Sequence, residues 1–185
     1  MKKVLYLSLS FKRDIIIHNL LNQYFADLGV YFVCKYPSFP RDVYAILKSK
    51  EIKNFDYIIF DTDIKNGEIY IEYNYSNSLF KDGEPNTLCL DDLIKDLNFP
   101  NSYVICDCAN STSDKMTYAF SKVSKGYIGM DKKISQLDNT IFIMKLFDYI
   151  IKDDLHISQA LTRLKDEFKI ANAYNYYQGV YDENK

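Results

Sequence analysis

The sequence predicts an α/β protein with a mainly parallel sheet flanked by helices on both faces. Short apolar runs rich in β-branched and aromatic residues, typical of buried strands, alternate with segments whose apolar residues recur every three or four positions, as in helices. This alternation favours parallel strands covered by helices. The chain has 185 residues, of which 48% are hydrophobic and 26% charged, values that predict a single globular domain over residues 1–185.

The first half of the chain predicts three strands and two helices, followed by a hairpin. The strands are predicted over residues 4–9, 30–34 and 55–60, and the helices over residues 15–28 and 40–50. Gly29 follows the first helix where glycine commonly ends a helix, and Pro40 suits the first turn of the second. Asn66-Gly67 predicts a tight turn, after which residues 68–73 alternate polar and apolar residues, as in a strand with one wet face.

The second half continues the alternation of strands and helices. Predicted strands cover residues 103–106, 126–130 and 174–181, and predicted helices cover residues 88–97 (after a strand end), 113–123, 135–151 and 158–171. Gly126 and Gly129 flank the residues of one short strand and indicate a close approach of two backbones or tight turns. The last strand is predicted at the edge of the sheet.

Composition argues against several classes of partner. The net charge is −2 and the isoelectric point about 5.7, so the chain lacks the excess of basic residues that is typical of a nucleic-acid-binding protein. No apolar run is long enough to span a membrane and no signal peptide precedes the first strand, which predicts a cytoplasmic protein with reduced thiols. The four cysteines do not follow zinc-site spacing, so no metal and no cofactor are expected.

The candidate chemical site lies where the strand over residues 103–106 ends. Cys106, Asp107 and Cys108 occupy this point, and the small polar residues that follow begin with Asn110. Open α/β sheets bind ligands at the carboxyl ends of their strands. Because strand side chains alternate, Cys106 and Cys108 are predicted to point to the same face.

A second polar strand end adds two carboxylates to the predicted site. The buried strand over residues 55–60 ends in Asp61-Thr62-Asp63. The predicted binding residues are therefore Asp61, Asp63, Cys106, Asp107 and Asn110.

Four segments, in this order, resemble the caspase-like cysteine peptidases and, within them, the bacterial CHAT-type domains. They are the strand ending near residue 60 with the stretch 67–73, the acidic and leucine-rich lead over 82–93, the cysteine strand over 103–111, and the glycine-flanked strand, helices and aromatic last strand over 126–181. Together they lie within residues 53–182. The resemblance implies a caspase-like fold for the whole domain.

In this resemblance Cys108 aligns with the nucleophilic cysteine of the family, and an alignment that places Cys106 there is less favoured. The His-Gly of the family should fall near residues 61–63, where this sequence has Asp-Thr-Asp. A cysteine peptidase needs an imidazole to generate the thiolate and later to protonate the leaving group. A carboxylate beside a thiol instead disfavours the thiolate and raises the thiol pKa, an effect to which Asp107 would add.

The two histidines are predicted to have structural roles. His18 lies in the middle of the first helix, where a helix-surface or core-edge position is expected. His156 lies in the turn before the last helix, where capping of the helix end is expected. Neither is predicted to meet Cys108.

The site residues also have simpler interpretations. Cys106 and Cys108 are alternatively small buried residues, since free cysteine is commonly buried. Asp61, Asp63 and Asp107 are either capping or solvated loop ends, or a cluster of oxygen ligands for a divalent metal ion.

Three functions are consistent with these residues. The favoured hypothesis is a caspase-like pseudo-enzyme that acts by binding a protein partner or by assembly rather than by catalysis. The second is an active cysteine hydrolase in which Cys108 uses a non-standard base, such as His156 moved into place by a partner. The third is a module that binds a small molecule or a divalent ion through Asp61, Asp63 and Asp107.

Overall fold

In a computed structural model, residues 1–9, 15–71 and 87–180 are described, and they form nine strands and six α-helices. In chain order the strands are β1 (Lys3–Ser8), β2 (Tyr31–Lys35), β3 (Tyr57–Asp61), β4 (Asp63–Lys65), β5 (Glu68–Tyr70), β6 (Thr87–Leu88), β7 (Phe99–Ala109), β8 (Ser124–Met130) and β9 (Tyr174–Gln178). The helices are α1 (Ile15–Asp27), α2 (Pro40–Lys48), α3 (Leu90–Asp96), α4 (Asp114–Val123), α5 (Gln136–Ile151) and α6 (Ile157–Glu167).

Six strands form the main sheet in the order β2-β1-β3-β7-β8-β9. Every neighbouring pair is parallel except β8 and β9, which are antiparallel. The strands β4, β5 and β6 form a separate antiparallel sheet inserted between β3 and α3. The parallel strands place the carboxyl ends of β1, β3 and β7 at one edge of the sheet.

Helices cover both faces of the main sheet, and each face has its own apolar core. On one face, α1, α5 and α6 pack on residues such as Tyr6, Ile59 and Ile105. On the other, α2, α3 and α4 pack on residues such as Phe60 and Cys106. The predicted fold class, an α/β protein with a mainly parallel sheet flanked by helices on both faces, is confirmed.

The hairpin of the small sheet follows directly from its sequence. Asn66 and Gly67 have φ angles of 54° and 73° between β4 and β5. Two-residue hairpin loops of type I′ require positive φ at both central positions, which asparagine and glycine tolerate best. The strand predicted over residues 68–73 ends at Tyr70 in the structure, and its last two predicted residues, 72 and 73, lie outside the described residues. Residues 82–86 of the segment that resembles the caspase-like peptidases also lie outside them.

Two predicted helices end earlier than expected, and the central strand is longer. The helix predicted to reach residue 50 ends at Lys48 and the one predicted to reach residue 171 ends at Glu167; each is followed by a 3₁₀ turn, over Lys50–Asn54 and Lys169–Ala173. Such tight turns commonly extend helix ends, and their spacing of apolar residues resembles that of an α-helix. The central strand spans 99–109 rather than 103–106.

Gly129 of β8 lies where another stretch of backbone approaches closely, as predicted, whereas Gly126 lies against tyrosine side chains. A Cβ atom at Gly129 would lie 2.8 Å from the backbone oxygen of Ser111, and one at Gly126 would lie 2.8 Å from the Tyr176 hydroxyl oxygen. A Cβ atom cannot come this close to the backbone oxygen at Gly129, whereas the Tyr176 hydroxyl near Gly126 is the end of a side chain that can shift. Gly129 therefore permits the loop after β7 to rest directly on β8.

None of the helices in the described ranges combines the length and the apolar character of a segment that crosses a bilayer.

Candidate functional site

The carboxyl ends of β3 and β7 open onto one cavity of about 410 Å³. Five of the six predicted site residues line it: Asp61, Asp63, Asp107, Cys108 and Asn110. Its remaining lining comes from the strand ends and from the chain leading into α5: Thr62, Ile64, Ala109, Met130, Lys133, Ile134, Gln136 and Asn139. The parallel arrangement of β3 and β7 brings these residues to the same edge of the sheet.

The sixth predicted residue, Cys106, lies behind Cys108 in the core. Their Sγ atoms are 3.4 Å apart, and both side chains belong to the apolar core under α2, α3 and α4. The prediction that both point to the same face is therefore confirmed. Cys106 is fully buried, whereas Cys108 keeps 5% of its surface exposed.

The environment of Cys108 disfavours the thiolate. The contact with Cys106, burial, and the negative charges of Asp107 and Asp63 all raise the pKa of the Cys108 thiol well above its ordinary value of 9.0. A thiol that is to act as a nucleophile near neutral pH needs the opposite shift. At this strand end, then, the thiol is kept protonated.

Asp107 points to the other face of the sheet and is held there by Tyr174. Asp107 is 7% exposed, and its Oδ1 accepts a hydrogen bond of 2.8 Å from the Tyr174 hydroxyl. That hydroxyl also lies 3.0 Å from the side-chain oxygen of Asn139 on α5. Burial and the nearby charge of Asp61 raise the pKa of Asp107 to about 7, although the Tyr174 hydrogen bond opposes the shift.

His18 lies closer to this edge of the sheet than the sequence suggested. It is only 4% exposed, so of the two predicted positions the core-edge position is confirmed and the helix-surface position is wrong. Its Nε2 atom is 3.9 Å from Oδ2 of Asp61 and has no hydrogen-bond partner among the described residues, while Nδ1 lies 3.1 Å from the Tyr36 hydroxyl. The ring packs against Tyr6, on the face opposite the core that contains Cys108.

His156 caps α6, as predicted, at the opposite end of the sheet from the cavity. Its side chain accepts a hydrogen bond from the backbone of Ser158, and Gln159 completes a reciprocal capping pair. Its Nε2 atom lies 2.7 Å from the hydroxyl of Tyr103, near the start of β7. Cys108 is five residues further along the same strand, roughly 16 Å away.

Ser111, which the sequence did not single out, fastens the loop after β7 to the sheet. Its Oγ donates to the carbonyl of Cys106 (3.1 Å) and accepts from the backbone N–H of Met130 (2.7 Å). Its carbonyl accepts from the Tyr127 hydroxyl (2.6 Å). The residue before it, Asn110, adopts a φ of 65°, a conformation that asparagine tolerates better than most residues. A run of small polar residues gives no sign of which one is buried.

The alternative of a metal site receives no support from the geometry. Within residues 1–9, 15–71 and 87–180, no group of three or more His, Cys, Asp or Glu side chains is arranged to hold a metal ion. The three carboxylates of the cavity are divided between the strand ends and the two faces of the sheet.

Comparisons with known proteins do not assign this chain to a family. No family model matches the sequence, and no curated protein matches it. Among solved structures, a secreted C11 cysteine protease from Bacteroides thetaiotaomicron, in complex with an irreversible peptide inhibitor, is similar over 72% of this chain and 49% of that chain, so this chain spans about half its length. The sequence identity is 10% and the TM-score 0.44. So distant a likeness establishes no activity for this chain.

Proposed function

We propose that this chain is a caspase-like domain that does not cleave peptides and acts by binding a protein partner. The observation that carries the proposal is the surroundings of Cys108. The contact with Cys106, burial and the nearby carboxylates raise the pKa of its thiol. Each of the two histidines of the chain has a contact with a tyrosine hydroxyl instead, His18 with Tyr36 and His156 with Tyr103.

Neither imidazole is positioned to serve as a base for Cys108. His156 is held beside the first half of β7, away from Cys108, by its bond with Tyr103 and by its role as a helix cap. His18 packs on the opposite face, between Tyr6 and Tyr36. Without an imidazole, a cysteine hydrolase lacks both the group that takes the thiol proton and the group that protonates the leaving amine.

The caspase-like part of the proposal is supported by the order of the elements. The strand that ends at Asp61 is followed by a small antiparallel sheet, then by the cysteine strand, the glycine-bearing strand β8, two helices and the aromatic edge strand β9. These are the elements in which the sequence resembles caspase-like peptidases, and they occur in the same order.

Labelling with a thiol-directed peptidase probe tests the proposal. Reduced protein would be treated with a peptidyl acyloxymethyl ketone near neutral pH, and the modified cysteine located by peptide mass spectrometry. We expect Cys108 to be labelled no faster than Cys89, a partly exposed cysteine outside the cavity. Rapid labelling of Cys108, or peptide cleavage lost in Cys108→Ala and retained in Cys89→Ala, would show an active hydrolase instead.

A second candidate function is binding of a small cationic molecule. Among the described residues, the charged groups that line the cavity include the carboxylates of Asp61 and Asp63 and the ammonium group of Lys133. Asp107, whose pKa is raised to about 7, adds a partial negative charge near neutral pH. This balance favours positively charged ligands and disfavours phosphates such as nucleotides. The cavity, at about 410 Å³, has the size of a small-molecule site.

A thermal-shift comparison tests this second function. Putrescine and agmatine would be compared with an adenine nucleotide, using the wild type and Asp63→Asn. A shift with the cations alone, reduced in the variant, supports cation binding. Equal shifts in both proteins, or none with either cation, argue against it.

A further inference from the structure

Cys106 and Cys108 present two thiols in contact at the floor of the cavity. Their sulfur atoms are 3.4 Å apart, about 1.4 Å more than the separation in a disulfide bond. Cys108 lines the cavity, so a small reagent can reach it, whereas Cys106 is covered by Cys108 and the core. The arrangement therefore has one accessible thiol and one partner thiol behind it.

The backbone is compatible with joining the two sulfurs. Residues two apart on one strand have Cα atoms about 6.6 to 6.8 Å apart, which is the upper end of the range seen in disulfides. The pairing of β7 with β8 is irregular between Ile105 and Ala109, the stretch that contains both cysteines. Such an irregularity bends a strand and frees it from strict ladder geometry. A small local adjustment can thus close the remaining gap.

We propose that Cys106 and Cys108 form a reversible dithiol–disulfide site that is oxidised by hydrogen peroxide entering the cavity. In the first step the Cys108 thiol loses its proton, and the thiolate attacks one oxygen of the peroxide, giving a sulfenic acid and one water. In the second step the Cys106 sulfur attacks the Cys108 sulfur and displaces hydroxide, which takes the Cys106 proton and leaves as a second water. Two thiols are oxidised, and one peroxide is reduced to two waters.

The surroundings of Cys106 and Cys108 determine how fast the thiols should be oxidised and how readily the disulfide should be reduced. The raised pKa of Cys108 leaves little thiolate near neutral pH, so oxidation should be slow there and faster in alkaline solution. A disulfide between residues so close on one strand is strained, and strained disulfides are readily reduced. The inference does not depend on the proposed function, because a pseudo-enzyme and an active hydrolase would contain the same two thiols.

Peptide mapping after mild oxidation tests the inference. Trypsin releases residues 96–115 as one peptide that contains Cys106 and Cys108 but neither Cys34 nor Cys89. After treatment of the reduced, folded chain with hydrogen peroxide, we expect this peptide to lose the mass of two hydrogen atoms and to resist alkylation until dithiothreitol is added. The rate should rise as the pH is raised toward the ordinary thiol pKa of 9.0.

Two controls separate the proposal from general thiol oxidation. Cys89→Ser should oxidise as the wild type does, whereas Cys106→Ser should give a Cys108 peptide that gains oxygen. Because a core substitution can impair folding, the unmodified protein is also titrated with phenylarsine oxide, which bridges paired thiols and should protect both cysteines of this peptide from alkylation. Oxygen addition to Cys108 in the wild type, disulfides to Cys34 or Cys89, or no protection by the arsenical would overturn the proposal.

Discussion

The hydroxyl of Tyr103 lies 2.7 Å from Nε2 of His156. This contact holds His156 beside the first half of β7, while Cys108 lies near the end of the same strand. His156 also caps α6, so moving it toward the cavity would break both the cap and the Tyr103 contact. The His156 imidazole therefore has a structural role at the start of α6.

His156→Ala should weaken the protein without changing the thiol. Loss of the cap should lower the free energy of unfolding by about 1 kcal/mol, because a backbone N–H of α6 loses its acceptor. The alkylation rate of Cys108 should not change. Urea unfolding and peptide mapping measure the two effects. His156→Asn, which restores a capping acceptor, should recover most of the stability; slower alkylation of Cys108 in either variant would contradict the structural role.

Asp107 should make the protein less stable as the pH rises. Its pKa is raised to about 7 in the folded state, against about 4 in an unfolded chain, so the folded protein keeps a proton that the unfolded chain releases. The free energy of unfolding should fall between about pH 4 and pH 7 and then level off, a total loss from this group of at most about 4 kcal/mol.

Asp107→Asn removes this ionisation and keeps an oxygen for the Tyr174 hydroxyl. Compared with the wild type, the variant should be equally stable near pH 4 and more stable by a few kcal/mol near pH 8. Urea unfolding of both proteins across this range measures the difference. Parallel pH profiles for the two proteins would show that Asp107 ionises normally in the folded state.

Ser111→Ala should be far more costly than the same change at Ser113. Ser111 Oγ donates a hydrogen bond to the carbonyl of Cys106 and accepts one from the buried N–H of Met130. Loss of the hydroxyl leaves both groups without that partner. The expected cost is about 1 to 3 kcal/mol. Ser113 Oγ is buried with no hydrogen-bond partner in the described part of the chain, so Ser113→Ala should cost little. Equal thermal shifts in the two variants would contradict the role of Ser111.

Placing an imidazole where the strand end now has a carboxylate should activate the thiol. The charge of Asp63 contributes to the raised pKa of Cys108, so Asp63→Asn should lower that pKa and Asp63→His should lower it further. Each unit of pKa corresponds to about a tenfold change in thiolate content. Iodoacetamide alkylation of Cys108 near neutral pH should therefore rank Asp63→His above Asp63→Asn above the wild type. A reversed order would mean that Asp63 does not act on the thiol.

Much of the fold was predictable because its signals are local. Gly29, Pro40 and the Asn66-Gly67 turn each constrain the backbone at their own position, and alternating periodicities separate helices from strands. The rule for strand ends directed attention to the edge of the sheet at which the cavity lies, and the role of the cavity stays a prediction. Tertiary contacts are different, because they join residues that are far apart in the sequence. Local signals therefore do not predict which residues each side chain contacts on its face of the sheet.

The position of His18 is an example of a tertiary contact that local sequence signals do not predict. The sequence predicted either a helix-surface or a core-edge position for it, and only the packing of α1 shows that it is buried between Tyr6 and Tyr36 and near Asp61. Tyr174 is a similar case: it was expected only as a residue of an aromatic edge strand, yet its hydroxyl holds Asp107 from two strands away in the sheet order β7-β8-β9.

The pH dependence of Cys108 alkylation tests the central claim most directly. Reduced, folded protein would be treated briefly with iodoacetamide over a range of pH, and modification of Cys108 followed in the peptide 96–115, with Cys89 as the internal reference. The account predicts a rate that keeps rising with pH and shows no plateau below the ordinary thiol pKa of 9.0. A plateau reached at or below about pH 7 would reveal an activated thiolate and contradict the assignment of a non-cleaving domain.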